Sequence, residues 1–115
     1  QEVIVYVTAN KNVATYTMRL VENVATEFFA TFVLVSVAVR NNSTPTAIAL
    51  TLGALIYLSE RTSGGHMNPA VTVAKYVNNE VDARTALFYI AAQVCGAVTA
   101  ARQNTSAQHL HLVAT

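Results

Sequence analysis

One stretch decides the fold of this chain: Ser63-Gly64-Gly65-His66-Met67-Asn68-Pro69-Ala70-Val71-Thr72. The two glycines permit backbone conformations and close approaches that a side chain would block. Asn68 is a preferred helix N-cap residue, and Pro69 suits the first helical position, where its missing N–H costs nothing. The stretch therefore predicts a loop over 63–67 followed by a helix that begins at Pro69.

The composition is that of a membrane protein. Of the 115 residues, 53% are hydrophobic and only 11% are charged, fewer charges than in a soluble domain. The formal charge of +1 is too small, and the basic residues too scattered, for nucleic-acid binding. The one cysteine cannot form an intrachain disulfide.

Three apolar segments predict spanning helices. The first lies between Glu22 and Arg40, the second runs from about Pro45 to Ser59, and the third runs from about Ala83 to Ala101. The turn-forming residues 41–45 separate the first two. Acidic residues over 80–82 precede the third, where a helix dipole favours them.

The helix that begins at Pro69 is too short to span a bilayer. Up to about Val77 it would be ~13 Å long, against a hydrocarbon core ~30 Å thick. It therefore ends near the midplane, and its loop is tolerated there only if it is buried or lines a cavity. The positive end of the helix dipole, together with the Asn68 amide, would orient water and disfavour cations and protons. The predicted fold is all-α, with three transmembrane helices and one re-entrant half-helix.

The sequence predicts three regions. Residues 1–22 form an N-terminal arm, residues 23–102 contain the predicted membrane helices and the half-helix, and residues 103–115 form a polar C-terminal tail. Within the arm, Val3–Thr8 is a β-branched run that predicts a short strand. No second strand candidate lies nearby, so residues 3–8 would pair with another chain by strand addition, or form an irregular arm.

Basic residues predict the orientation. Five lie on the side of the N-terminus and of the connection over 60–84, against two on the other side, which places the N-terminus in the cytoplasm. The five are Lys11, Arg19, Arg61, Lys75 and Arg84, and the two are Arg40 and Arg102.

The stretch over 63–72 resembles the signature of the aquaporins, the water and glycerol channels of the major intrinsic protein family. Thr26–Phe32 is similar to that family's first membrane helix, and Tyr89–Ala97 to its third. The resemblance covers about residues 24–102 and corresponds to the first of the two halves of an aquaporin. The second half, with its own Asn-Pro-Ala motif and the filter arginine, has no counterpart in this sequence.

The resemblance implies roles for individual residues. Carbonyl groups of Gly64 to Met67 would form a ladder of acceptors, Asn68 would be the donor, and Glu27 and Gln93 would support the loop from the protein side. Ile48 falls where relatives place an aromatic or histidine at the narrow filter. The predicted pore-lining set is Gly64, Gly65, His66, Met67, Asn68, Pro69, Ala70 and Ile48.

Two functions remain open at this point. The first is a component of a passive channel for water or a small neutral solute, which would not conduct alone and would need a complementary second half or oligomer partners in the lipid membrane. The second is a non-conducting structural membrane protein that anchors a larger assembly, such as an enveloped or viral particle. An enzyme is not expected, since no nucleophile, base and orienting group occur together. No cofactor or metal is expected, because His109 and His111 lack a third ligand.

Overall fold

A computed structural model describes all residues 1–115, and its regular structure is entirely helical. The four helices are α1 (Glu2–Ala38), α2 (Pro45–Ser59), α3 (Pro69–Val77) and α4 (Ala83–Ala114). The bounds of α2 and α3 are those predicted from the sequence. Both α1 and α4 have the length and the apolar composition needed to cross a membrane, whereas α2, with 15 residues, is shorter.

Local capping chemistry fixes where three of the helices begin. Thr44 Oγ1 accepts from Ala47 N at 3.1 Å ahead of Pro45, and Asp82 Oδ1 accepts from Thr85 N at 2.8 Å. Asn68 does the same for α3. Each cap satisfies one of the backbone N–H groups that a helix start leaves without an intrahelical partner.

Helices α1 and α4 run parallel and form the frame of the molecule. At one end the Tyr16 hydroxyl donates to Asp82 Oδ2 at 3.2 Å, and at the other Asn104 Nδ2 donates to Val39 O at 3.1 Å. The helical stretch between Tyr16 and Val39 is about 34 Å long, slightly more than a hydrocarbon core of about 30 Å. The paired part of the frame therefore has the length of one membrane crossing, and residues 2–15 project beyond it.

The seam of the frame depends on small residues of α4. Ala92, Gly96 and Ala100 are buried there at intervals of one helical turn. A Cβ on Gly96 would lie 2.5 Å from Phe28 O and 3.2 Å from Phe32 N. Small residues at such seams let helix backbones approach closely, which is how helices associate where lipid removes the hydrophobic driving force.

The prediction of a strand over residues 3–8 is wrong, because these residues lie in the first two turns of α1. A lone strand would leave its backbone N–H and C=O groups without partners, whereas a helix satisfies them internally. The β-branched side chains of Val3, Ile4 and Val5 lower helix propensity by only a few tenths of a kcal/mol each, too little to break a helix that continues into α1. A helical segment has no strand edge, so residues 3–8 do not pair with another chain by strand addition.

Both long helices extend past the segments that the sequence marks as apolar. Helix α1 runs without a break through the predicted boundary between residues 22 and 23, and α4 runs through that between 102 and 103. In the polar part of α4, Thr105 and Ser106 donate their hydroxyls to the carbonyls of Ala101 and Arg102. These bonds satisfy polar side chains along the helix, so polarity does not end it.

Gly96→Ala should destabilise the protein by about 1–3 kcal/mol, because the new methyl group overpacks the seam against the backbone of α1. Gly53→Ala is the matched control, since a Cβ at Gly53 in α2 meets nothing within 4 Å. The measurement is the midpoint of thermal unfolding in mild detergent. Equal midpoints for the two variants would contradict the close approach at Gly96.

Candidate functional site

The side chain of Glu27 lies at the centre of the molecule and is fully buried on α1. Its Oε1 accepts from Ser63 Oγ at 2.6 Å and from His66 N at 2.9 Å. Its Oε2 accepts from Met67 N at 2.6 Å and from Gln93 Nε2 at 2.9 Å. One carboxylate therefore joins α1, the loop over 63–67 and α4.

Neutral donors, not a counter-charge, surround this carboxylate. The single ion pair of the chain joins Lys75 and Glu80 elsewhere. An ionised carboxylate offers about four lone-pair sites, and the four donors to Glu27 match that number. Burial without unsatisfied polar groups is what makes such a group tolerable in an apolar environment.

The loop conformation depends on residues with positive φ. Gly64 has φ 93°, Gly65 has φ 65° and Met67 has φ 50°. For Met67 this conformation costs on the order of 1–2 kcal/mol, and the bond from its N–H to Glu27 offsets that cost. A Cβ on Gly65 would stand 3.2 Å from Ser59 Oγ, so α2 also constrains the loop.

The carbonyl groups of the loop point away from Glu27. A trans peptide holds its C=O opposite to its N–H, and the chain has no cis peptide bond. Since the N–H groups of His66 and Met67 are directed at the carboxylate, the carbonyls of Gly65 and His66 face the other way. No hydrogen bond within the chain reaches any carbonyl from Gly64 to Met67.

A second set of hydrogen bonds connects the loop to α3 and α4 through Thr72, which is fully buried. Its Oγ1 accepts from Gln93 Nε2 at 2.9 Å and lies 3.0 Å from His66 Nδ1. The same hydroxyl lies 3.3 Å from Asn68 O, which it can reach as a donor. Thr72 therefore ties the first turn of α3 to the loop that precedes it, while Gln93 Oε1 stays buried without a partner.

A third contact comes from Tyr89 of α4. Its hydroxyl donates to Ser63 O at 2.7 Å, and its ring packs edge-on against the His66 ring at 5.1 Å between centroids. The sequence analysis assigned no role to Tyr89 or Thr72. The signal was available, because Tyr89 lies one helical turn before Gln93 and Thr72 one turn after Asn68, so each pair shares a helix face.

Asn68 is exposed, unlike the buried residues behind it. Its Oδ1 accepts from Ala70 N at 2.9 Å and so caps α3. Its Nδ2 makes no hydrogen bond within the chain, so both amide hydrogens are free at the positive end of the α3 dipole. Pro69 and Ala70 form the first turn beside it.

Ile48 is not brought to the loop. It lies half-buried in the first turn of α2, whereas the opposite end of that helix, at Ile56 and Ser59, contacts Gly65. Eight residues separate Ile48 from Ile56, which is about 12 Å along a helix. The structure thus places Ile48 away from Asn68 and the free carbonyls.

A polar cavity of about 450 Å³ opens beside the loop. Its lining includes Asn23, His66 and Tyr89 on one side and Lys75 and Glu80 on the other. The hydrogen bond from Lys75 lowers the pKa of Glu80 below its ordinary value. The cavity gives water a route to the loop from the side of the connection between α3 and α4.

Several known proteins are similar in sequence to this chain. The pattern of the family described as major intrinsic protein matches residues 11–108. Aquaporin-5 of Mus musculus is 35% identical over 96 residues, which is 78% of this chain and 36% of the relative. The glycerol uptake facilitator protein-like 6 of Lactiplantibacillus plantarum is 42% identical over 82 residues, which is 64% of this chain and 38% of the relative. Aquaporin-5 of Homo sapiens is 38% identical over 86 residues, 70% of this chain and 32% of the relative.

The chain spans about a third of the length of these curated relatives. Within that third lie the loop over 63–67, its capped helix α3 and the helices that hold them. Because the family pattern extends over residues 11–108, well beyond half of the sequence, this chain belongs to the major intrinsic protein family, whose members are membrane channels.

Proposed function

We propose that this chain forms one half of a passive channel for water or a small neutral solute. The observation that carries the proposal is the arrangement of polar groups on the loop, where four successive carbonyls from Gly64 to Met67 accept no bond within the chain. The exposed Asn68 amide adds free donors next to them. Water needs both acceptors and donors along its path, and the loop supplies them in series.

The loop is proposed as the pore lining, with Glu27 and Gln93 as its support from the protein side. Because Glu27 takes the N–H groups of His66 and Met67, the carbonyl row cannot rotate inward without losing two hydrogen bonds. The rigid row replaces part of the hydration of a passing molecule in the same geometry each time. The dipole of α3 opposes cations at the point where the row ends.

The proposed topology has three spans, α1, α2 and α4, with the N-terminus in the cytoplasm. At about 22 Å, α2 is short for a spanning helix. It would cross where the bilayer is locally thinner, or with its ends in polar surroundings. The loop over 63–67 enters from the cytoplasmic side, and α3 begins near the midplane at its cap Asn68 and runs back towards the cytoplasm. The bias of basic residues supports this orientation.

A complete pore needs a second half of opposite orientation. The N-termini of two half-helices meet at the midplane when a two-fold axis in the membrane plane relates the repeats that carry them. Copies of this chain inserted in one orientation can be related only by axes along the membrane normal. We therefore propose a complementary half as the partner of this one.

The structural-anchor alternative loses one of its supports. An unpaired strand over residues 3–8 would have suited an anchor that pairs with other chains, but that segment is helical. The loop with its free carbonyls has no evident use in an anchor, whereas a channel uses each of its groups. The channel component is therefore the function that the geometry supports better.

The 115-residue chain reconstituted alone in liposomes should give no osmotic water flux above that of empty vesicles, because its pore is lined on one side only. Co-expression with a complementary second half should restore flux. Stopped-flow light scattering measures both, with Asn42→Ala, in the exposed α1–α2 connection, as the control variant. Clear flux from the chain alone that Asn68→Ala removes would require antiparallel pairing of copies and would overturn the need for a second half.

Asn68→Ala should destabilise the protein by about 1 kcal/mol, since it removes the N-cap of α3. Asn68→Asp should keep the cap but place a negative charge where the free amide hydrogens now lie, so restored channels should lose their exclusion of cations. Thermal unfolding in detergent and cation leak in liposomes are the two measurements. An Asn68→Asp channel that stays impermeable to cations would argue against a pore at this residue.

Glu27→Gln should destabilise the protein by about 3 kcal/mol, because the amide oxygen replaces only part of the carboxylate acceptors and leaves buried donors unpaired. Glu22→Gln is the matched control, an exposed glutamate on the same helix. Denaturant titration in mixed micelles compares the two variants. Similar losses in both would show that the four hydrogen bonds to Glu27 do not hold the loop.

A further inference from the structure

An apolar groove of about 570 Å³ lies between α1 and α4, on the surface of the frame and separate from the loop. Leu20, Val24 and Phe28 form its α1 wall, and Phe88 and Ala92 form its α4 wall. Eight of its ten lining residues are hydrophobic, and none is acidic. The groove lies along the frame between the close approach at Gly96 and the hydrogen bond of Tyr16 with Asp82.

The length of the groove along the helices is close to the thickness of one membrane leaflet. Along α4 it runs from Arg84 to Ala92, which is about 12 Å at eight residues. Half of a hydrocarbon core of about 30 Å is close to that value. The end at Arg84 lies beside the contact of Tyr16 with Asp82, which marks the end of the paired frame, so the apolar walls extend from the membrane surface towards the midplane.

Arg84 stands at the mouth of this groove without an ion-pair partner. No carboxylate lies within 4 Å of its guanidinium, which sits 6.0 Å above the centre of the Phe88 ring. The neighbouring acid, Asp82, is engaged by Thr85 N and by the Tyr16 hydroxyl. Hydrogen bonds from Thr85, and to a smaller extent the charge of Arg84, hold the pKa of Asp82 below its ordinary value. The donors of Arg84 are thus free to bind an anion from outside the chain.

We propose that this groove is a binding site for an anionic phospholipid, with one acyl chain between α1 and α4 and the phosphate on Arg84. A guanidinium presents a planar fork of donors that fits phosphate oxygens in a bidentate manner. A neutral lipid would fill the groove equally well but would leave the positive charge without a partner. In the proposed topology Arg84 faces the cytoplasmic leaflet, where anionic lipids are concentrated.

The site is independent of conduction. Neither Arg84 nor the groove contacts the loop over 63–67, and lipid binding can be measured whether or not the chain carries water. The test uses the full chain in a neutral detergent. Native mass spectrometry gives the apparent Kd for dioleoyl phosphatidylglycerol and for dioleoyl phosphatidylcholine, which differ in the charge of the headgroup and not in the chains.

The wild-type protein should bind the phosphatidylglycerol about fivefold more tightly than the phosphatidylcholine, since one basic side chain at a membrane surface contributes about that factor. Arg84→Gln should abolish the difference. Arg102→Gln, a change of the same kind in the same helix but outside the groove, should keep it. Ala25→Phe, which adds bulk to an exposed position of the α1 wall, should weaken the binding of both lipids.

Three results would overturn the proposal. The first is equal affinity of the wild-type protein for the two lipids. The second is a preference for phosphatidylglycerol that survives in Arg84→Gln. The third is competition by inorganic phosphate at the same concentration as the lipid, because that would show a site for a free anion with no part for the acyl chain. Arg84→Gln lies on an exposed position, and its unfolding midpoint should match that of the wild type, which confirms that it remains folded.

Discussion

The buried carboxylate of Glu27 is the interaction on which the rest of the site depends. His66 and Met67 of the loop are buried, so their backbone N–H groups need acceptors from the protein. Glu27 accepts from two of them, and the planar peptide then directs the linked carbonyls to the opposite side. One side chain therefore both stabilises the loop and creates its row of free acceptors.

The carboxylate can do this only because α1 and α4 approach closely. Gly96 lets the α1 backbone lie against α4, and this approach brings Gln93 within hydrogen-bond distance of Glu27. Gln93 then uses its second amide hydrogen on Thr72, which extends the support to α3. A wider seam would leave Glu27 short of a donor, so helix packing and loop geometry are coupled through one amide group.

The parts that could be predicted are those that local chemistry determines. Asn68 and Pro69 set the start of α3, and a cap and a proline set the start of α2 in the same way. The strand prediction over residues 3–8 is wrong because β-branched side chains favour a strand only where its backbone finds a partner, whereas a helix satisfies the backbone internally. Helical spacing places Tyr89 on the face of Gln93 and Thr72 on the face of Asn68, but the partners of their hydrogen bonds could not be predicted, because those depend on how the helices pack. The role of Glu27 as a support for the loop was predicted through the family resemblance.

The two polar features of the loop have different origins, and this bears on what a single half can do. The acceptor row comes from long-range bonds to Glu27, so it is complete within this chain. The donor at Asn68 comes from a local cap and also lies within the chain. In the channel that we propose, this chain supplies one wall of the pore and a complementary half of opposite orientation supplies the other. The polar groups of the site thus lie within this chain, whereas the enclosure of the proposed pore depends on the proposed partner.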